Sequence, residues 1–284
     1  MILERLQQLD RRWVFLLVAL FVILPTIFSV TFPVPVSPST QSVYDKIESL
    51  NENDFVILSF GYGPSSMAEL QPQVEAVLRH CFRKKLRVMM MALNADAPPL
   101  VVQTVEKVQS SDEFSDNGVS RIKPGEHYVD VGYRVGYSLV ILRMAGNIPG
   151  FFETDTRGES LEALPAMEGI STFADVSLVI DFAAGDTVDY WIVYGHEPHG
   201  VPLAAGVTGV IVSQMYPFLD SGQLQGLLSG ALGGAEYEAL VNAPGDGMKR
   251  VSVLSFAHFL VIGLVVLGNA LYLMRRREEG GGDS

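Results

Sequence analysis

Two long uncharged apolar runs, one near each end of the 284-residue chain, constrain its fold more than any other feature. Residues 13–30 (WVFLLVALFVILPTIFSV) would span roughly 27 Å as a helix, and residues 251–274 (VSVLSFAHFLVIGLVVLGNALYLM) are longer still. Runs of this length are read as membrane spans rather than as buried core helices. The expected order is an N-terminus (1–12), a first span (13–32), a domain (33–250), a second span (251–274) and a tail (275–284).

Flanking charge orients this arrangement. Arg11 and Arg12 abut the first run, and Arg275, Arg276 and Arg277 follow the second. Cytoplasmic flanks carry such an excess, so both termini are expected in the cytoplasm and the domain outside it. Lys249 and Arg250 oppose this weakly, because long domains translocate largely regardless of charge. A cleaved signal peptide is the rival reading of the first run. No Ala-x-Ala site follows it, which favours an uncleaved anchor.

The acidity of the chain lies in the domain, where residues 32–250 hold 14 Lys/Arg against 27 Asp/Glu. A surface of that sign repels nucleic acid and anionic lipid head groups. The single cysteine, Cys81, excludes an intramolecular disulfide, and its place in an expected helix suits a small buried apolar residue.

Within the domain, short apolar runs alternate with helical segments. Residues 55–60 (FVILSF), 88–93 (VMMMAL), 139–144 (LVILRM), 176–182 (VSLVIDF) and 201–207 read as strands, with a possible extra strand around 127–133. Apolar runs without alternation suit parallel strands covered on both faces. The expected fold is therefore α/β, an open, mostly parallel, doubly wound Rossmann-like sheet flanked by two transmembrane helices.

In such sheets ligands bind outside the carboxyl ends of the strands. The first βα turn, Gly61-Tyr62-Gly63-Pro64-Ser65-Ser66, is the best binding-loop candidate, since glycine lets backbone approach a ligand and a helix N-terminus follows. The plain alternative is a tight turn with Ser66 capping the helix. Asn94, Asp96, Asn147, Asp186 and Thr208 complete the expected rim. His196 and His199 are separated by Pro198 and flanked by glycines, a loop pattern without a recognisable third metal ligand. Asp181 interrupts an apolar strand run and becomes interesting only if buried. No catalytic set, metal site or cofactor motif emerges.

Gly222, Gly226, Gly230 and Gly234 recur every four residues. On one helix they would form a stripe nearly free of side chains, at about 1 kcal/mol each against alanine. Close approach of another backbone would offset that cost, whether from the domain's own sheet, a second copy or another membrane protein. His258 and Asn269 in the second span likewise suggest a helix packed against protein.

The stretches Ser221-Gly-Gln-Leu-x-Gly-Leu-Leu, Gly234-Ala-Glu-Tyr-Glu and Gly200-Val-Pro-Leu-Ala-Ala-Gly-Val-Thr resemble a family of uncharacterised prokaryotic two-span membrane proteins with an extracytoplasmic α/β domain. The resemblance covers roughly residues 125–275. It implies a prokaryotic inner-membrane location and attaches no chemistry. Three functions remain open: a non-enzymatic, membrane-anchored subunit organising a larger assembly through self-association or other membrane proteins, an extracytoplasmic small-molecule binding or sensor domain, and an envelope hydrolase.

Overall fold

The computed structural model describes residues 10–28, 31–114 and 122–280, with Arg11 and residues 275–280 described by backbone alone. The orienting side chains of Arg11, Arg275, Arg276 and Arg277 lie outside that description. So do residues 1–9 of the expected cytoplasmic N-terminus, residues 29–30 of the first apolar run and residues 281–284 of the tail.

In chain order the elements are α1 (Arg11–Ile27), α2 (Pro38–Glu48), β1 (Phe55–Gly61), α3 (Met67–Arg83), β2 (Arg87–Ala92), α4 (Pro98–Gln109), β3 (Tyr128–Tyr133) and α5 (Tyr137–Met144). There follow α6 (Ile148–Phe152), β4 (Leu178–Ala183), α7 (Thr187–Trp191), β5 (Leu203–Val207), α8 (Val212–Asp220), β6 (Leu227–Ser229), α9 (Gly230–Leu240) and α10 (Asp246–Gly280). Among the described residues, six strands form one parallel sheet in the order β3-β2-β1-β4-β5-β6. Helices α2, α3, α4 and α9 cover one face, and α5 to α8 with the segment around 161–176 cover the other. The α/β, Rossmann-like expectation holds. Every residue of β1 and β4 is buried, which is why these strands read as unbroken apolar runs.

Three expectations are corrected. The run 139–144 is not a strand but the body of α5. Val140, Ile141 and Met144 are buried while Leu139 and Leu142 are about half exposed, a helical spacing. The third strand is instead 128–133, the possible extra strand.

The four glycines do not share one helix. Gly222 sits in a turn at φ +81°, Gly226 just precedes β6, Gly230 opens α9 at φ +55°, and Gly234 lies inside α9. Three of them do meet backbone, from the chain itself. A Cβ at Gly226 would lie 2.7 Å from Val43 N and 3.0 Å from Ser39 O of α2. One at Gly230 would lie 3.2 Å from Gly209 N, and one at Gly234 would lie 3.2 Å from Gln73 N of α3.

Only one described helix is long and apolar enough to cross a membrane, Asp246–Met274, whose most apolar 18-residue stretch has mean hydropathy 2.4. Helix α1 ends at Ile27, short of residue 32, and its 17 residues rise only about 25 Å. From residue 31 to residue 37 the chain has no regular secondary structure.

The chain divides into two compact units, Val34–Met248 and the terminal segments Met1–Pro33 with Lys249–Ser284. Within the terminal unit, the Phe32 N–H donates to Ser252 Oγ at 2.9 Å, and the Phe32 ring lies 4.9 Å from that of Phe256. Asn269 donates to the Val265 carbonyl of its own helix at 2.9 Å, and His258 is exposed. Neither side chain reaches across to another described element.

Candidate functional site

Strand order reverses between β1 and β4: from β1 the chain winds outward through β2 and β3, then returns to β1's other side and winds away through β5 and β6. At that seam the βα loops leave in opposite directions, and parallel sheets bind ligands in the resulting crevice. The expected rim residues can be placed against it.

Gly61 ends β1, and its carbonyl accepts from Ala184 N–H at 3.4 Å, just past β4. A Cβ at Gly61 would fall on Thr187 Oγ1, so glycine is what lets Thr187 reach under the seam. Gly63 is buried beside β2's exit, with Asn94 Oδ1 3.4 Å and Asp96 Cβ 3.5 Å from where its Cβ would stand. Asn94 Oδ1 accepts the Asp96 N–H at 2.9 Å. Ser65 is exposed in a single 3-10 turn, and Ser66 precedes α3 without capping it through its hydroxyl. The capping alternative is thereby corrected. Asp186 accepts from Tyr137 OH at 3.2 Å, while Thr208 is buried and its N–H donates to the Ala183 carbonyl at 3.2 Å.

Gly61, Gly63, Asn94, Asp186 and Thr208 thus lie along the carboxyl edge. Asn147 does not. It follows α5 rather than a strand, and its Oδ1 caps α6 through the Gly150 N–H at 2.9 Å. It also borders an open cavity of about 820 Å³ lined by residues 146, 147, 149, 162–165 and 167–171. That segment adjoins the amino end of β2, where Arg87 donates to the Glu168 carbonyl at 2.6 Å. Ligands of parallel sheets bind at the other edge, so this larger hollow is the weaker candidate. The histidine pair is structural: His196 Nδ1 donates to the Val201 carbonyl at 3.0 Å, and the His199 ring meets Phe173 edge-on. Among the described residues no group of three or more His, Cys, Asp or Glu side chains could hold a metal ion.

No protein-family model and no curated protein matches the chain. The site must be judged from its own chemistry.

Beneath the seam lies a cluster that sequence reasoning largely missed. Ser59 of β1 and Asp181 of β4 are register partners, both fully buried. Thr187 Oγ1 donates to Asp181 Oδ2 at 2.6 Å, and Trp191 Nε1 donates to Ser59 Oγ at 3.2 Å. Asp181 Oδ1 has no hydrogen-bond partner, and among the described residues no cation pairs with the carboxyl. Burial pushes the Asp181 pKa from 3.8 up to about 7, against the pull of Ser59, Thr187 and Trp191.

On the opposite face of the sheet most buried polar groups are paired, although Gln73 Oε1 has no partner. There Gln71 joins Tyr62, Thr104 and Glu75, and Lys107 pairs with Glu75 at 2.7 Å. His80 lies between Tyr237 and Glu48 at 2.8 and 2.9 Å. Those groups have partners and read as structural.

Higher on the rim, Asp189 is raised by burial and then by Asp186 beside it. The edge is therefore acidic.

Proposed function

We propose that the chain is a membrane-tethered binding protein whose α/β domain takes a small polar molecule at the seam between β1 and β4. One observation carries the reading: the strand-order reversal coincides with a buried carboxyl that no cation compensates. Burying a carboxyl without a cation or a full set of donors costs several kcal/mol, and such sites cluster where function requires them. The acidic rim of Asp96, Asp186 and Asp189 disfavours phosphates and favours ligands bearing hydroxyl or amino groups. Helix α10 supplies the anchor. The basic run after it supports a cytoplasmic tail with the domain outside, and the resemblance noted above implies a prokaryotic inner membrane.

The test is thermal unfolding of the full chain in nanodiscs against sugars, amino acids, polyamines and nucleotides. A hydroxyl- or amine-bearing compound should raise the midpoint, by about 3 kcal/mol of stabilisation at one hundred times its Kd. Gly63→Leu should abolish the shift, since its backbone at φ −122° admits a side chain that would fill the mouth of the crevice. A flat response across the panel would sink the reading.

A second reading, self-association into a larger membrane assembly, draws on a different observation. Helix α5 exposes Leu139 and Leu142 at 48% and 51%, and Val135 just before it at 82%. Exposed apolar residues gathered along one element mark contact surfaces. The glycines no longer support this reading, because three of them are used within the chain. Particle size in mild detergent, with Leu139→Glu and Leu142→Glu as dissociating changes, decides it.

A further inference from the structure

A smaller cavity of about 290 Å³ lies at the outer edge of the sheet, between α4 and β3, at the lower end of the range for small-ligand sites. Its construction follows from β3 being an edge strand. The segment 155–157 lies along β3's free side, where the Thr156 N–H donates to the Asp130 carbonyl at 2.8 Å. Asp155 holds that segment in shape. It is buried, accepts the backbone N–H groups of Arg157 and Glu159 at 2.9 Å each, and takes the Arg157 guanidinium at 2.8 Å.

One wall is apolar, formed by Val101, Val102 and Val105 of α4. Val101 and Val105 are buried in the core, but Val102 stands 50% exposed on the cavity. Asp130 faces them. Among the described residues its carboxylate accepts only the Gly132 N–H at 2.9 Å and the Thr156 hydroxyl at 3.3 Å. No described cation pairs with it, because the nearby guanidinium is already held by Asp155. Burial, with a smaller contribution from Asp155, raises the Asp130 pKa. Glu106 adds a further negative charge to the lining. The cavity thus offers an unpaired, partly desolvated carboxylate next to an uncovered hydrocarbon surface.

We propose that this cavity is a second ligand site, taking a small amine whose ammonium group sits on the Asp130 carboxylate and whose hydrocarbon body lies along Val101, Val102 and Val105. A cation there offsets the desolvation of Asp130, the body covers Val102, and the half-buried Tyr128 ring offers the ammonium an aromatic face. A carboxylate ligand would meet Asp130 and Glu106, and a neutral one would leave Asp130 unpaired. The site is separate from the β1–β4 seam and does not depend on ligand binding there.

The experiment is calorimetric titration of the full chain in nanodiscs with benzylamine, benzyl alcohol and benzoate as probes. Benzylamine should bind saturably and about tenfold or more tighter than benzyl alcohol, with benzoate weakest, as expected for a desolvated ion pair. Asp130→Asn should remove that advantage while leaving benzyl alcohol unchanged. Val102→Asn, at a half-exposed position of α4, should weaken both. Gly63→Leu should change neither. Equal binding of benzylamine and benzyl alcohol, full retention of benzylamine by Asp130→Asn, loss of benzylamine with Gly63→Leu, or no saturable benzylamine binding would each overturn the proposal.

Discussion

Two buried carboxyls in the domain unit have opposite surroundings. Glu238 of α9 is 4% exposed, and its oxygens accept the backbone N–H groups of Gly245, Gly247 and Met248 at 3.0, 2.9 and 2.8 Å. Those donors belong to the turn and first residues of α10, groups that a helix start leaves unpaired. Asp181 is fully buried; Thr187 donates to Oδ2, Ser59 and Trp191 stand close enough to lower its pKa, and Oδ1 accepts from no donor. Burial raises both pKa values, so desolvation is common to the two. Their donors separate them. Glu238 holds a helix start in place, and its removal should cost stability. Asp181 holds little in place, and its charge should itself cost stability.

The largest expected effect follows from Glu238. Replacing it with alanine strands three N–H groups and should cost about 3–4 kcal/mol, at roughly 1 kcal/mol or more per lost bond. For a domain of this size, that is a fall of about 10 °C in Tm. Gly245 and Gly247 allow the close approach, since a Cβ on either would stand 2.6 or 3.0 Å from Glu238 Oε1. Thermal unfolding of Glu238→Ala checks this. A loss below about 1 kcal/mol would erase the contrast with Asp181, because it would mean that water replaces the carboxylate without penalty.

Asp181→Asn should act in the opposite direction and depend on pH. The folded-state pKa, about 7, is raised above the ordinary 3.8, so the folded chain binds this proton more tightly than the unfolded one. The contribution to stability is fully present below about pH 4 and is lost as pH rises through about 7. At pH 8 the asparagine variant, with no charge to bury, should be more stable than the native chain by a few kcal/mol. At pH 4 the two should agree. Melting curves across that window check the sign. A variant less stable at pH 8 would mean that the carboxylate has an ionic partner after all.

The sheet was legible where burial is complete. β1, β2, β4 and β5 are continuous apolar runs because helices cover both of their faces. At the sheet's edge the pattern weakens. In β3, Tyr128, Asp130 and Tyr133 are only half-buried, and β6 is three residues long, hidden among glycines. The run 139–144 misled because it is apolar on nearly every residue, and only the buried trio Val140, Ile141 and Met144 reveals a helix. Spacing by four misled in the glycines because a turn, a strand approach, a left-handed helix start and a helix contact fall on that period by coincidence. Gly61, Gly63, Asn94, Asp186 and Thr208 were readable from strand ends, whereas Asn147 was misplaced because the run before it is a helix. The cluster beneath them was not, since Ser59 meets Asp181 only through sheet register and Thr187 only through the space left by Gly61.

The smallest effect tests whether the Thr187 hydroxyl on Asp181 matters. Thr187→Val keeps the shape of a buried side chain and removes the hydroxyl that donates to Asp181 Oδ2. That hydroxyl stabilises the ionised carboxyl more than the neutral one, so its loss should raise the Asp181 pKa further and move the pH window of stability upward. At pH 8 the cost should be about 1.5–3 kcal/mol, the range for a hydrogen bond to a charged group, and at pH 5 it should be smaller. Combining Thr187→Val with Asp181→Asn should cancel most of the pH 8 penalty, because the two act on one charge. Equal penalties at both pH values would show that Thr187 serves packing alone. Asp181 would then be a carboxyl held neutral throughout the physiological range, and the seam would present a proton donor rather than a reserve of negative charge.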